Sequence, residues 1–133
     1  MSIEVRTDER VDVVDVTDDV RDAVPDSVTR GLCTVFVSHT TAGVVVNENE
    51  RRLRSDLSGL LASLAPEEAE YEHDAIDDNA AAHLRATLLG ESVAVPVVEG
   101  ELALGRWQSV LFVECDGPRT RSLEVVVTPA AQT

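Results

Sequence analysis

The chain is 133 residues long, enough to bury one core without disulfides or a structural metal. Its 25 acidic residues face 11 basic ones, all of them arginine, for a net charge of −14. So acidic a surface repels nucleic acid and anionic membrane, so neither is an expected partner, and the lack of lysine removes Schiff-base, P-loop-lysine and Ser–Lys chemistry.

Along the chain, Met1 to Val5 carries no cationic, apolar targeting segment, and no later apolar run reaches membrane-spanning length, so a cytoplasmic protein is expected. Val11 to Val16 reads as a strand with Ser2 to Arg6 as its partner. Thr17 offers a cap for a short helix over Asp18 to Val24, stopped by Pro25. Gly31 to Ser38 reads as a buried strand, and Gly43 to Val46 continues extended after Thr40-Thr41. Glu48 to Ala65 is the strongest helix: Leu53, Leu57, Leu60, Leu61 and Leu64 form one stripe, read as core packing, with Pro66 after it. Pro66 to Asp74 is acidic and loop-like, with room for a helical turn. A second helix is predicted from Asp77 to Leu89, with Gly90 as its stop and Leu84 and Leu88 marking the core face.

The remainder reads as β: Ser92 to Val98 with Pro96 marking an edge or bulge, a turn at Glu99-Gly100, then Leu102 to Leu104. A long strand from Trp107 to Cys115 follows, then a turn at Asp116-Gly117-Pro118 and a return over Arg121 to Thr128. Trp107 is read as core. Cys33 and Cys115 lie in apolar, strand-like runs and read as small buried hydrophobes, with a disulfide left open. The fold class is α+β, one domain over residues 1–133 with helices inserted mid-chain among antiparallel strands. Lysine-free acidity also matches proteins of salt-loving cells, where ionic strength screens self-repulsion.

The chemistry-bearing residues fall in short segments. His39 sits in Ser38-His39-Thr40-Thr41-Ala42-Gly43, where a strand gives way to irregular backbone; hydroxyls and free N–H groups there suit phosphate oxygens. A hydroxyl-capped turn is the structural alternative. Asn47-Glu48-Asn49-Glu50 opens the long helix, either as caps and first-turn acids or with Glu48 as a general base. Asn79 and His83 are one helical turn apart and share a face. His73, in Tyr71-Glu72-His73-Asp74, would alone be an ordinary surface histidine. Asp116-Gly117-Pro118-Arg119-Thr120-Arg121 delivers guanidinium groups that can grip phosphate, or simply pair with acids.

The ordered set His-Thr-Thr-Ala-Gly, Asn-Glu-Asn, Tyr-x-His, Asp-Asn-Ala-x-Ala-His-Leu, Leu-Leu-Gly, Leu-Gly-x-Trp-Gln and Asp-Gly-Pro-Arg-x-Arg, from Gly31 to Val127, resembles the YjbQ family of secondary thiamine-phosphate synthases. The resemblance implies a curved, antiparallel or mixed, sandwich-like β-sheet and a homotrimer with sites near subunit interfaces. It also implies a divalent metal, zinc or magnesium, on His39, His73 and His83. Glu48 and His83 are then the catalytic candidates, and Thr40, Thr41, Asn47, Asn79, Arg119 and Arg121 the phosphate-binding ones. The implied reaction joins a pyrimidine methyl diphosphate to a thiazole phosphate and releases diphosphate. Arg106 stands where that family usually has Thr, and Arg85 keeps the charge of a common Lys. Two other classes stay open: a metal-dependent hydrolase of a small phosphorylated compound with Glu48 as base, and a non-catalytic binder of such a compound.

Overall fold

Among residues 1–131, those described by the computed structural model, the elements run β1 (Ser2–Arg6), β2 (Asp12–Asp15), α1 (Thr17–Asp22), β3 (Arg30–Val37), β4 (Ala42–Asn47) and α2 (Arg51–Leu64). A one-turn 3-10 helix (Glu72–Ala75) then precedes α3 (Ala80–Leu89), β5 (Ser92–Val98), β6 (Glu101–Leu102), β7 (Ser109–Glu114) and β8 (Thr120–Pro129). The strands form a five-stranded sheet, β1-β8-β3-β5-β6, and a three-stranded sheet, β2-β7-β4. Every pairing is antiparallel, so of the two expected arrangements the mixed one is not realised.

The expected β1–β2 hairpin does not form. β1 pairs with β8 and β2 with β7. The link between them is drawn instead to the β7–β8 turn, where the Thr7 N–H donates to the Arg119 carbonyl and the Gly117 N–H to that of Arg10. Where a hairpin is found, β5 to β6, Glu99 (φ 52°) and Gly100 (φ 80°) supply the paired positive φ of a two-residue turn.

The two sheets face each other across the main core. Val35, Val37, Cys33, Val95, Val97, Leu123 and Val125 come from the larger sheet, Val44, Val110 and Phe112 from the smaller, with Val16 and Val20 closing one end. β3 is therefore buried on alternate residues only: Cys33, Val35 and Val37 point in, while Leu32 and Phe36 are exposed on the outer face. β7 is buried on both faces, because a second core of Leu61, Ala82, Val113 and Cys115 lies between the small sheet and α2 and α3. The result is three layers: large sheet, small sheet, helices. Cys33 and Cys115 are unbridged, one in each core.

Several side chains lie elsewhere than expected. Of the α2 stripe only Leu61 is fully buried; Leu53, Leu60 and Leu64 are exposed. The buried face of α3 is Ala80, Ala81, Ala82 and Ala86, whereas Leu84 and Leu88 face outward. Alanine carries the contact because α3 lies close on β4: a Cβ on Gly43 would stand 2.7 Å from the Gly90 carbonyl oxygen and 2.8 Å from Leu89 Cβ. Trp107 is exposed rather than core, with the Arg106 guanidinium 4.9 Å from its ring centroid. Both long helices start later than expected. α2 is capped by the Glu50 side chain, which accepts from Arg52 N–H. Ahead of α3, Asp74 Oδ1 accepts the Ala80 N–H at 3.2 Å. Thr17 opens α1 from inside it, its N–H and hydroxyl both donating to Asp15 Oδ1.

Candidate functional site

Three chain crossings between the sheets meet at one end of the sandwich: Thr7 to Val11, Ser38 to Thr41 and Cys115 to Arg119. Backbone bonds stitch them together, among them Cys115 N–H to the Thr41 carbonyl at 3.0 Å. Strands that switch sheets make such corners, and this one holds a buried ionic network.

Glu114 is fully buried and pairs with Arg121, whose Nε donates to Oε1 at 2.8 Å and whose Nη2 donates to Oε2. Thr7 Oγ1 donates to Glu114 Oε1 at 2.8 Å, and Asp116 N–H to Oε2 at 3.0 Å. Burial alone would raise the Glu114 carboxyl; the Arg121 hydrogen bond and the two further donors outweigh it and hold it below its ordinary value. Arg121 Nη2 also donates to Thr41 Oγ1 at 2.7 Å. Both residues are buried and mutually satisfied, so Arg121 and Thr41, expected to bind phosphate, are spent on the corner itself.

Asp116 is the second buried carboxylate. It accepts from Arg10 Nη1, from Arg119 Nη2 at 3.0 Å and from Asn79 Nδ2 at 3.1 Å. Burial pushes its carboxyl up, and the Asn79 bond with the Arg10 and Arg119 charges brings it below its ordinary value. Arg10 continues the chain to Glu67, which Arg85 also reaches at 3.3 Å while its Nε holds the Ala65 carbonyl at the end of α2. Arg119 remains half-exposed with its Nε and Nη2 on Asp116, a guanidinium fixed in direction at the surface.

The α3 side of this corner carries the histidines. His73 and His83 stand edge to face with ring centroids 4.7 Å apart. Two imidazoles bound to one zinc ion through bonds of about 2.0–2.1 Å have centroids roughly 5 Å apart. His73 Nε2 and Asn79 Oδ1 are buried without a hydrogen-bond partner, each a loss of about 1–3 kcal/mol if left so. A cation is one partner such atoms accept, and the spacing of the two imidazoles fits one divalent metal.

His39 is engaged elsewhere within this chain. Its Nε2 accepts the Ser122 N–H at 3.0 Å. Partial burial and then the Arg121 charge lower its basicity, which favours the neutral ring. A neutral imidazole has one lone-pair nitrogen, and His39 spends it on the backbone; the proton sits on Nδ1, a donor. Among the described residues, no three His, Cys, Asp or Glu side chains are grouped to hold a metal ion, so the expected set of His39, His73 and His83 does not assemble within one chain. His39 and exposed Thr40 instead line, with His83, Thr87 and Glu91, an open depression of about 320 Å³. His83 also borders a second one, with His73 and Tyr71.

Glu48 and Asn47 lie elsewhere. Both are at the far end of β4, and at about 3.3 Å per residue that strand puts them roughly 17 Å or more from the crossing that carries His39. Glu48 there lines an apolar crevice of about 300 Å³ with Leu57, Leu60, Leu89 and Leu111. Asn47 Oδ1 accepts the Glu48 N–H at 2.8 Å, and Asn49 bridges Asp15 and Arg54, so the amides of this segment shape the loop.

Sequence reading missed Glu114, Asp116, Thr7 and Arg10. Glu114 had a signal: an acid inside the otherwise apolar run Val110 to Cys115, a position that requires a buried cation.

The matching family model, described as UPF0047 protein YjbQ-like, spans residues 1–130. A UPF0047 protein of Archaeoglobus fulgidus is 48% identical over 125 residues, covering 94% of this chain and 98% of that protein. One from Methanothermobacter thermautotrophicus is 46% identical, covering 92% and 87%. Among solved structures, a YbjQ-like protein of unknown function from Sulfolobus solfataricus P2 superposes with a TM-score of 0.94 at 40% identity, over 98% of this chain and 96% of that one. A hypothetical protein from Aeropyrum pernix K1 gives 0.94 at 41% identity over 98% of each. By sequence along its whole described length and by architecture, this chain belongs to the YjbQ-like UPF0047 family.

Proposed function

We propose that the protein binds a divalent metal, zinc or magnesium, beside a small phosphorylated molecule, and joins a pyrimidine methyl diphosphate to a thiazole phosphate. The observation that carries this reading is the His73–His83 pair at 4.7 Å, with His73 Nε2 buried and unpartnered. In the reaction the thiazole nitrogen forms a bond to the pyrimidine methylene carbon as the carbon–oxygen bond to diphosphate breaks, and the electron pair leaves with the diphosphate. A metal on His73 and His83 would neutralise charge on the phosphate groups. Arg119, fixed by Asp116, offers a directed guanidinium, and His39 Nδ1–H and the Thr40 hydroxyl offer neutral donors to phosphate oxygens. Glu48 is set apart along β4 from the crossing that carries His39, and it lines a different crevice from the histidines, so we place a catalytic role for it across a neighbouring subunit of the homotrimer we propose.

Metal content and turnover of the two phosphorylated substrates, measured on wild type and His83→Ala, test the reading. Metal removal or His83→Ala should each lower turnover by at least about 100-fold, the upper end for disturbing a ligand's surroundings. Undiminished turnover in metal-free protein would sink the metal role. Tight diphosphate binding without turnover under any divalent metal would leave a binder, not an enzyme.

A further inference from the structure

An asparagine at a helix N-cap ordinarily spends its side-chain oxygen on the free N–H groups of the first turn. Asn79 occupies that position on α3 and makes no such bond. The first of those N–H groups, from Ala80, is taken by Asp74 Oδ1. The Asn79 amide is turned by its nitrogen instead, which donates to Asp116 Oδ2 at 3.1 Å. Its oxygen is left buried and unpartnered, as is the Nε2 of His73. Asn79 precedes His83 by four residues, its carbonyl accepting the His83 N–H at 3.3 Å, and the His73 ring lies against that of His83.

Resting on the metal reading above, we propose that Asn79 Oδ1 is an oxygen ligand that completes the site with His73 and His83, and that Asp116 is the positioning residue that aims it. Asp116 suits that task because it is itself clamped. Arg10 and Arg119 hold it from two other sides, so both of its side-chain oxygens are engaged as acceptors. Asp116 Oδ2 accepts from the NH₂ side of the amide, which turns the amide oxygen to the opposite side. The Asn79–Asp116 bond therefore decides which amide atom is left without a partner. His39 stands outside the ligand set, because its lone-pair nitrogen is used by Ser122.

Cobalt(II) added to the metal-free full-length protein, followed by visible absorption and calorimetry, reads this directly. Asn79→Ala should weaken Co²⁺ binding by about 10-fold or more and shift the visible band. Asp116→Ala should weaken binding by about 10- to 100-fold although both histidines are intact. His39→Ala should leave affinity and spectrum unchanged. Far-UV circular dichroism checks folding; if Asn79→Ala is unfolded, the nearly isosteric Asn79→Leu carries the comparison. Wild-type affinity and spectrum in both the Asn79→Ala or Asn79→Leu variant and Asp116→Ala overturn the assignment while leaving the metal reading standing. So does a loss in His39→Ala equal to that in His83→Ala. A wild-type protein that takes up no cobalt overturns the metal reading and this assignment with it.

Discussion

Glu114 shows how much one side chain can commit. It is fully buried on a strand, and its partner Arg121 is nearly so, which makes the pair costly to break, although well-packed apolar residues can replace such pairs without loss. Glu114→Gln should destabilise the protein by about 3–5 kcal/mol, the range for leaving a buried charge uncompensated. Glu114, Asp116 and Asp15 are all held below their ordinary values of 4.5, 3.8 and 3.8. The folded state then binds their protons more weakly than the unfolded one. Their stabilisation is complete above those ordinary values and is lost as pH falls through the depressed folded ones. Urea midpoints should thus be level from pH 7 to about pH 5 and drop below about pH 4, with a shallower drop in Asp116→Asn. A wild-type midpoint unchanged down to pH 3 would contradict this. The sequence showed the acid in an apolar run but not its partner seven residues on, since that pairing depends on a corner built by chain crossings.

At the scale of elements, helix and strand positions were legible because apolar runs, Gly90 and Pro66 mark them. Which face of a helix is buried was not. Leucine spacing pointed outward on α3, and the contact fell to alanines because the helix approaches β4 at a glycine. Two glycine substitutions separate close approach from intrinsic propensity. Gly43→Ala forces its new methyl against the Gly90 carbonyl and should cost about 1–3 kcal/mol, pushing the Leu89 end of α3 away from β4. Gly59→Ala, in the interior of α2 with open space around it, should stabilise by about 0.5–1 kcal/mol. Urea denaturation of the two variants gives the comparison; equal effects of the same sign would remove the close-packing argument. The β1–β2 pairing was misread for a related reason: nearness in sequence favoured a hairpin, while the five residues between the strands are held by the distant β7–β8 turn.

The whole molecule is acidic and yet bare of cover on its apolar surfaces. Leu53, Leu60, Leu64, Leu84 and Leu88 are exposed on the helix layer, and Leu32, Phe36 and Val126 on the outer face of the large sheet. Surfaces of this kind are ordinarily covered by association. Under the homotrimer proposed above, light scattering should give three copies per particle. With a charge of −14 on each copy, the assembly should also be salt-dependent, with thermal stability by circular dichroism rising from low to molar salt. A monodisperse monomer at all salt concentrations would contradict the first expectation, and a thermal midpoint flat in salt the second. The α+β class was readable from composition and pattern. The division of the strands into two sheets was not, because it is set by contacts between residues far apart in the chain.

The layered build places one thiol on either side of the small sheet: Cys33 inside the sandwich, and Cys115 beneath the helices, where burial pushes its thiol up to about 12. The layer over Cys115 has the smaller core, resting on Leu61 and a few alanines. A fluctuation that lifts the helices therefore uncovers one sulfur and leaves the other sealed. The molecule carries a built-in chemical clock with two hands, one timing the detachment of the helix layer and the other the opening of the sandwich itself.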